Sequence, residues 1–309
     1  MTGTSPVTSL GRGNPGPDAG SGEGRGLPDR ERHGSTGSSF AARAGGQLLR
    51  GSLLGVGFVL GVGGLWELAK ILTGTSDSLM PHTWQILASL DDRTSTGQSQ
   101  FVYVAGHWLV TFRNSVVGFL IGATLGFALG IAIIRNRIVG HAIYPIAVLA
   151  QTIPIVAIAP ALVLWLGTGV AAKVLIAAYL TFFPVTVATV KGIQRVPRES
   201  LELMRICAAK PTAVLVKMQV PAALPMIFVG LETAAGVAVV GAIVAELPFG
   251  SDAGIGLMIL TSWQFYTIQP ESLYVAVLAS CLLGVVIVLA VRVARTLIPA
   301  ANRPTDVTL

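Results

Sequence analysis

Arg195 to Pro225, RVPRESLELMRICAAKPTAVLVKMQVPAALP, is the longest strongly polar interruption between apolar runs beyond residue 114. Arg195, Arg198, Arg205, Lys210 and Lys217 are set against only two acids, Glu199 and Glu202. Leu201, Met204 and Ala208 fall at i, i+3 and i+7, so the first half is expected to form an amphipathic helix. Pro197 suits its first turn, and the two acids sit near its positive N-terminal end. Lys210-Pro211 should close it, because a proline disfavours the helical region for the residue before it. A second short helix from about Thr212 to Val220, with Thr212 as cap, then leads through Pro221 and Pro225 into the next apolar run. Two readings fit this helix-turn-helix. It is a surface element built to touch a partner, or a basic loop that only orients the chain in a membrane.

On both sides of the stretch, apolar runs of about 20 residues recur, the length a helix needs to cross a bilayer. Hydrophobic residues are 52% of the 309, charged residues only 12%, and mean hydropathy is +0.71. A soluble domain carries about twice that charge. The fold class expected is an all-α integral membrane protein with about six transmembrane helices: Leu53–Leu72, Thr111–Ile134, Ile143–Leu166, Val174–Val190, Pro225–Glu246 and Leu273–Val293. Residues 1–47 are Gly, Ser, Pro and Arg with almost no aromatic residue. They are expected to form a disordered tail, not a signal peptide, since no short apolar core follows Met1 directly. Residues 48–300 make up the transmembrane domain, with the polar loop at 195–225, and 301–309 a short second tail.

The pI of 9.7 and net charge of +6 are read as loop charge bias in a membrane protein, not as a sign of nucleic-acid binding. Of the 21 Lys and Arg residues, six spans with both termini inside leave only Lys70, Arg93, Arg113 and Lys173 on the outer side. That bias places Arg195–Pro225 in the cytoplasm.

Particular residues carry further expectations. Glu67 and Lys70, at i and i+3 near the far end of the first span, should pair or snorkel. Thr73–Leu109 should be external, with a short interfacial helix over Trp84–Leu90. Gly118, Gly122, Gly126 and Gly130 set a glycine stripe on one helix face, where a neighbouring helix packs closely or slides. Pro145, Pro154 and Pro160 should bend or break the third span. Gln151 and Thr152, beside Pro154, either face a translocation path or bond to a neighbouring helix. Glu232, inside the fifth span, needs a partner or a wet surface and is the third path candidate. Glu246 should meet water at the outer end of that span, and Gly250, Gly254 and Gly256 should mark a flexible external loop.

Cys207 and Cys281, one in a surface loop and one in a span, suggest no disulfide or metal framework. His33, His82, His107 and His141 are scattered and expected to be unpaired at the surface. No catalytic residue, metal or cofactor is expected. There is no G-x-x-x-x-G-K-[ST], so ATP is not expected to bind here through a P-loop.

The collected motifs resemble the permease subunits of binding-protein-dependent ABC importers. They are Leu65-Trp66-Glu67, Leu79-Met80-Pro81, Pro154 to Pro160, Trp165 to Gly169, Phe182-Phe183-Pro184, Pro221 to Pro225, Gly241 to Glu246 and Gly254 to Leu257, in family order over about residues 60–300. The polar loop resembles that family's coupling loop. The resemblance gives Leu201, Glu202, Met204, Arg205, Ala208, Pro221 and Pro225 the role of docking onto an ATPase. Two departures stand out. Glu202-Leu203-Met204 replaces the family's Glu-Ala-Ala, and Ala208 replaces its glycine, although alanine takes a left-handed turn only at a cost; Pro211 offers another break. The resemblance implies a type I importer permease fold in a bacterial cytoplasmic membrane. It also implies a second permease copy or paralogue, two ATPase subunits and an extracytoplasmic solute-binding protein as partners, besides membrane lipid. It is most similar to the branch importing nitrate, sulfonates, taurine, and thiamine or riboflavin precursors, and the run Leu201 to Arg205 leans toward the vitamin-precursor members. An ion-gradient-driven secondary transporter is the alternative; it would want paired intramembrane acids in two related halves, and no clear repeat is present. An intramembrane enzyme would need a nucleophile or metal constellation that the sequence does not offer.

Overall fold

A computed structural model of the chain describes residues 57, 60–94, 97–247 and 252–298. The chain divides into two compact units, Met1–Gly61 and Val62–Leu309. The first unit, with the expected tail 1–47, lies almost wholly outside the described residues, as does the tail 301–309. The described elements are helices: α1 (residues 60–73), α2 (Thr83–Ala88), a 3-10 turn (Ser89–Asp91), α3 (Gln100–Arg135), α4 (Arg137–Ala150), α5 (Ile155–Leu166), α6 (Val170–Gln194) and α7 (Arg198–Ile206). There follow α8 (Pro211–Val214), a π-turn (Leu215–Gln219), α9 (Val220–Glu246), α10 (Ile255–Gln264) and α11 (Pro270–Leu297).

The all-α membrane architecture is present. Among the described residues, four helices are long and apolar enough to cross a membrane: α3, α6, the rod Pro211–Glu246 formed by α8 and α9, and α11. α5 and α10 are shorter apolar helices. The first expected span begins outside the described residues, and the third is broken, as its prolines require. Residues 151–154 are non-helical, and Pro154 becomes the N-cap of α5. Pro145 and Pro160 remain inside α4 and α5.

α6 is the centre of the bundle, with α3 on one side and α9 on another. The glycine stripe of α3 lies directly against it. A methyl group on Gly122 would collide with the Ala178 carbonyl and stand 2.7 Å from Thr181 Cβ. On the α9 side, Gly230 meets Ala188, and a methyl on Gly241 would come 2.9 Å from the Ala177 backbone. Lipid is as apolar as leucine, so close approach of small residues replaces hydrophobic burial as the force between such helices. Thr186 adds a polar stitch, donating its hydroxyl to Gly126 O across the seam at 3.2 Å.

Several local expectations are corrected. α3 starts at Gln100, not near Thr111, because QFVYVAGHWLV is apolar enough to extend the helix back to Ser99. Pro197 precedes α7 as its N-cap. Lys210, not Thr212, caps α8, with Pro211 in its first turn. The expected short helix Thr212–Val220 runs on into α9. Pro221 has no N–H to bond the Lys217 carbonyl and would crowd it, and the wide π-turn over Leu215–Gln219 accommodates that conflict.

Glu67 and Lys70 do not pair with each other. Lys70 Nζ reaches Asp77 at 2.6 Å, while Glu67 accepts hydrogen bonds from the Thr83 amide and hydroxyl, both 2.7 Å, and meets His82 Nδ1 at 2.7 Å. Partners beyond the helix win because the turn after α1 brings residues 77–83 back over its end. Leu79-Met80-Pro81 is strapped down there: Trp66 Nε1 donates to Pro81 O (3.0 Å), and the Tyr266 and Tyr274 hydroxyls both donate to Leu79 O.

Candidate functional site

α7 ends in a Schellman arrangement. The Ala208 amide donates to Arg205 O at 2.9 Å and the Ala209 amide to Met204 O at 3.0 Å. Ala208 carries the left-handed conformation itself, with φ of 49°, alone among the described non-glycine residues. The turn is therefore made at Ala208, and Pro211 serves to start α8.

None of the residues of α7 is buried. The 100° step between helical residues sorts them into two faces. Leu201 and Met204 are half-buried. Glu199, Glu202, Leu203 and Ile206 share the opposite face and are exposed, Leu203 at 61% and Ile206 at 82%. Leu203 and Ile206 are the side chains that the sequence reading missed: an i, i+3 pair beside Glu202 is the signal that could have found them. Arg198 and Arg205 are exposed as well, Cys207 is a free thiol at the C-cap, and Pro221 and Pro225 lie in the first turns of α9.

The three path candidates sit on separate elements. Gln151 and Thr152 are exposed in the break between α4 and α5, and Thr152 donates its hydroxyl to Leu149 O at 2.7 Å. Glu232 finds partners on α11: Arg292 Nε at 3.2 Å and Arg295 Nη1 at 3.3 Å.

Glu246 is a correction. It is fully buried, not wetted. Its carboxylate accepts from Thr111 Oγ1 (2.8 Å) and from the Gly256 amide (3.0 Å). Gly254 and Gly256 begin α10 and do not form a flexible loop. Gly254 adopts φ of 134°, and a side chain there would run into the Glu246 carboxyl group. The Ile255 amide donates to Thr111 Oγ1 (2.8 Å), the Gly254 amide to His107 Nδ1 (2.9 Å), and Lys173 Nζ donates to Ala253 O (3.0 Å). His82 and His107 are thus partnered, while His33 and the His141 side chain lie outside the described residues. Gly250 does too.

Four helices long and apolar enough to span a membrane, with an exposed amphipathic helix lying between two of them, give the architecture of a polytopic membrane protein. Residues 109–301 match the family described as the binding-protein-dependent transport system inner membrane component. The chain belongs to that family, the permease subunits of ABC importers, and is a multi-pass inner-membrane protein. It is 36% identical over 154 residues to a Haemophilus influenzae protein named "Probable ABC transporter permease protein", a match covering 50% of this chain and 62% of that one. It is 31% identical over 201 residues to a Bacillus subtilis permease named for aliphatic sulfonates transport (65% and 71% covered). A formylaminopyrimidine transport permease of Halalkalibacterium halodurans is 33% identical over 192 residues (62% and 74% covered).

Proposed function

We propose that the chain is the permease subunit of an ATP-driven importer, working as a pair with a second copy or a paralogue. Two copies of a separate ATPase engage α7 from the cytoplasm, and an extracytoplasmic binding protein delivers the solute. The observation that carries this reading is the outward face of α7, where Leu203 and Ile206 stand in solvent on the same face as Glu199 and Glu202. Burying each apolar side chain in a partner's groove contributes about 1.5–3 kcal/mol. The two acids suit a groove with a basic rim, which steers docking more than it holds it. Leu201 and Met204 support the helix from its other face, the exposed Arg205 adds a charge beside them and Ala208 closes it, while Pro221 and Pro225 lie in the rod that carries any displacement into the membrane.

The cargo is a small solute of the sulfonate or vitamin-precursor type, as the names of the relatives suggest. Gln151 and Thr152, polar in a break between apolar helices, suit the path, and Glu232 with its two arginines suits the inner end of it. Two experiments test the reading. Thermal-shift screening of the cognate binding protein against sulfonates, pyrimidines and flavins should find one class that stabilises it. Co-purification of the neighbouring ATPase with wild type, Ile206→Asp and Met204→Asp should show the ATPase lost from Ile206→Asp, with membrane insertion intact, and a smaller loss from Met204→Asp. Retention of the ATPase and full uptake by both variants would leave α7 as an orienting basic loop.

A further inference from the structure

The turn Asp252–Gly256 is gripped by side chains from three spanning helices, at a place that no role in docking or in the solute path explains. Lys173 of α6 takes the Ala253 carbonyl, His107 of α3 the Gly254 amide, Thr111 of α3 the Ile255 amide, and Glu246 of α9 the Gly256 amide. Four consecutive residues are thus each held at a backbone polar atom by a different side chain, and Thr111, Lys173 and Glu246 are buried. Only glycine fits at 254, where a side chain would displace the Glu246 carboxyl group. Elsewhere the same helices meet through glycine, alanine and threonine, a smooth surface with few directional bonds. The directional bonds that tie α3, α6 and α9 to the start of α10 are therefore gathered at this end. The turns of α3 that flank Thr111 are incompletely satisfied. Trp108 Nε1 and Ser115 Oγ, one turn to either side of Thr111 on α3, are buried without a hydrogen-bond partner. Unsatisfied buried polar groups on the helix turns next to Thr111, which itself holds the buried carboxylate, are what a helix with a second arrangement of its bonds would show.

We propose that Glu246, Thr111 and Lys173 are positioning residues for transport: a latch that holds the start of α10 in the α3–α6–α9 socket in the resting importer and lets go when the bundle rearranges to take up solute. This rests on the importer reading above. Bistable contacts of this kind convert small shifts into discrete states, and weakening one of them shifts the population toward the other state.

The test uses the full transporter: permease, ATPase and binding protein together in vesicles, with Glu246→Gln and the near-isosteric Thr111→Val compared with wild type. ATP hydrolysis is measured with and without solute-loaded binding protein, and uptake is measured per ATP. The latch predicts that the variants assemble, hydrolyse ATP without the binding protein several-fold faster than wild type, and import less solute per ATP. Assembled variants with unchanged basal hydrolysis and unchanged uptake per ATP would overturn it. So would failure of both variants to assemble, which would make the socket a folding brace. If Glu246→Gln fails alone, Thr111→Val decides. A wild-type complex that shows no stimulation by the binding protein would instead overturn the importer reading, so the two failures are distinguishable.

Discussion

Ala208 sits at φ of 49°, in the region that L-residues other than asparagine and aspartate seldom enter. The amides of Ala208 and Ala209 hold it there by closing α7. Replacing it by glycine removes the clash of Cβ with the carbonyl and gives back part of that gain as lost chain entropy. Ala208→Gly should therefore stabilise the end of α7 by about 1 kcal/mol. Hydrogen exchange of the Cys207–Lys210 amides should slow about fivefold; unchanged or faster exchange would show that the turn is not strained. The candidate site was partly legible at this scale. The charges and spacing of Leu201–Ala208 are local, so the helix could be read from them. Which face looks outward depends on what the rest of the chain covers, so Leu203 and Ile206 were not legible. Glu246 was illegible for a related reason: its partner Thr111 is 135 residues away, and a carboxylate at a helix end reads as wetted unless that partner is known.

Among the elements, the seam between α3 and α6 gives the sharpest prediction. Gly122→Leu puts a branched side chain where even a methyl meets the Ala178 carbonyl and Thr181. The helices must then separate along several turns, and assembly or transport should fail, read by gel filtration and uptake. Normal assembly and uptake would show that this face does not bear on a neighbour. The stripe itself was legible, because a four-residue glycine repeat has few other uses in an apolar helix. α10 was not. Its ten residues are too few to span, and Gly254 and Gly256 suggest a loop until the positive φ of Gly254 and the close approach of both to Glu246 of α9 are seen. The broken third span was legible through Pro154, although not the position of the break, since Pro145 and Pro160 stay inside helices.

For the whole molecule, the proposed arrangement has both termini and α7 inside and the α2 region outside. The native Cys207 and Cys281 are exposed and must first be removed. In a Cys207→Ser, Cys281→Ser background, an impermeant maleimide applied to sealed cells should label Asp92→Cys and leave Arg205→Cys unmodified. Labelling of Arg205→Cys would reverse the arrangement. The all-helical membrane class was readable from composition and run length alone, because crossing a bilayer is set by chain length and apolarity and not by distant contacts; six runs were expected, and four helices among the described residues are long and apolar enough to span.

The rod from Pro211 to Glu246 is 36 residues long, which at about 1.5 Å per residue makes it some 54 Å from end to end. The hydrocarbon layer it crosses is about 30 Å thick. In the proposed arrangement, which sets Glu246 and its socket near the outer boundary, the surplus falls mostly on the opposite side. The elbow at Lys210 then stands about four turns clear of the acyl chains, beyond the headgroups and their bound lipid charge. A bulky water-soluble enzyme can reach a helix at that stand-off without touching the bilayer. Shortening the rod by whole turns would draw α7 down among the headgroups, where the same apolar face would meet lipid instead.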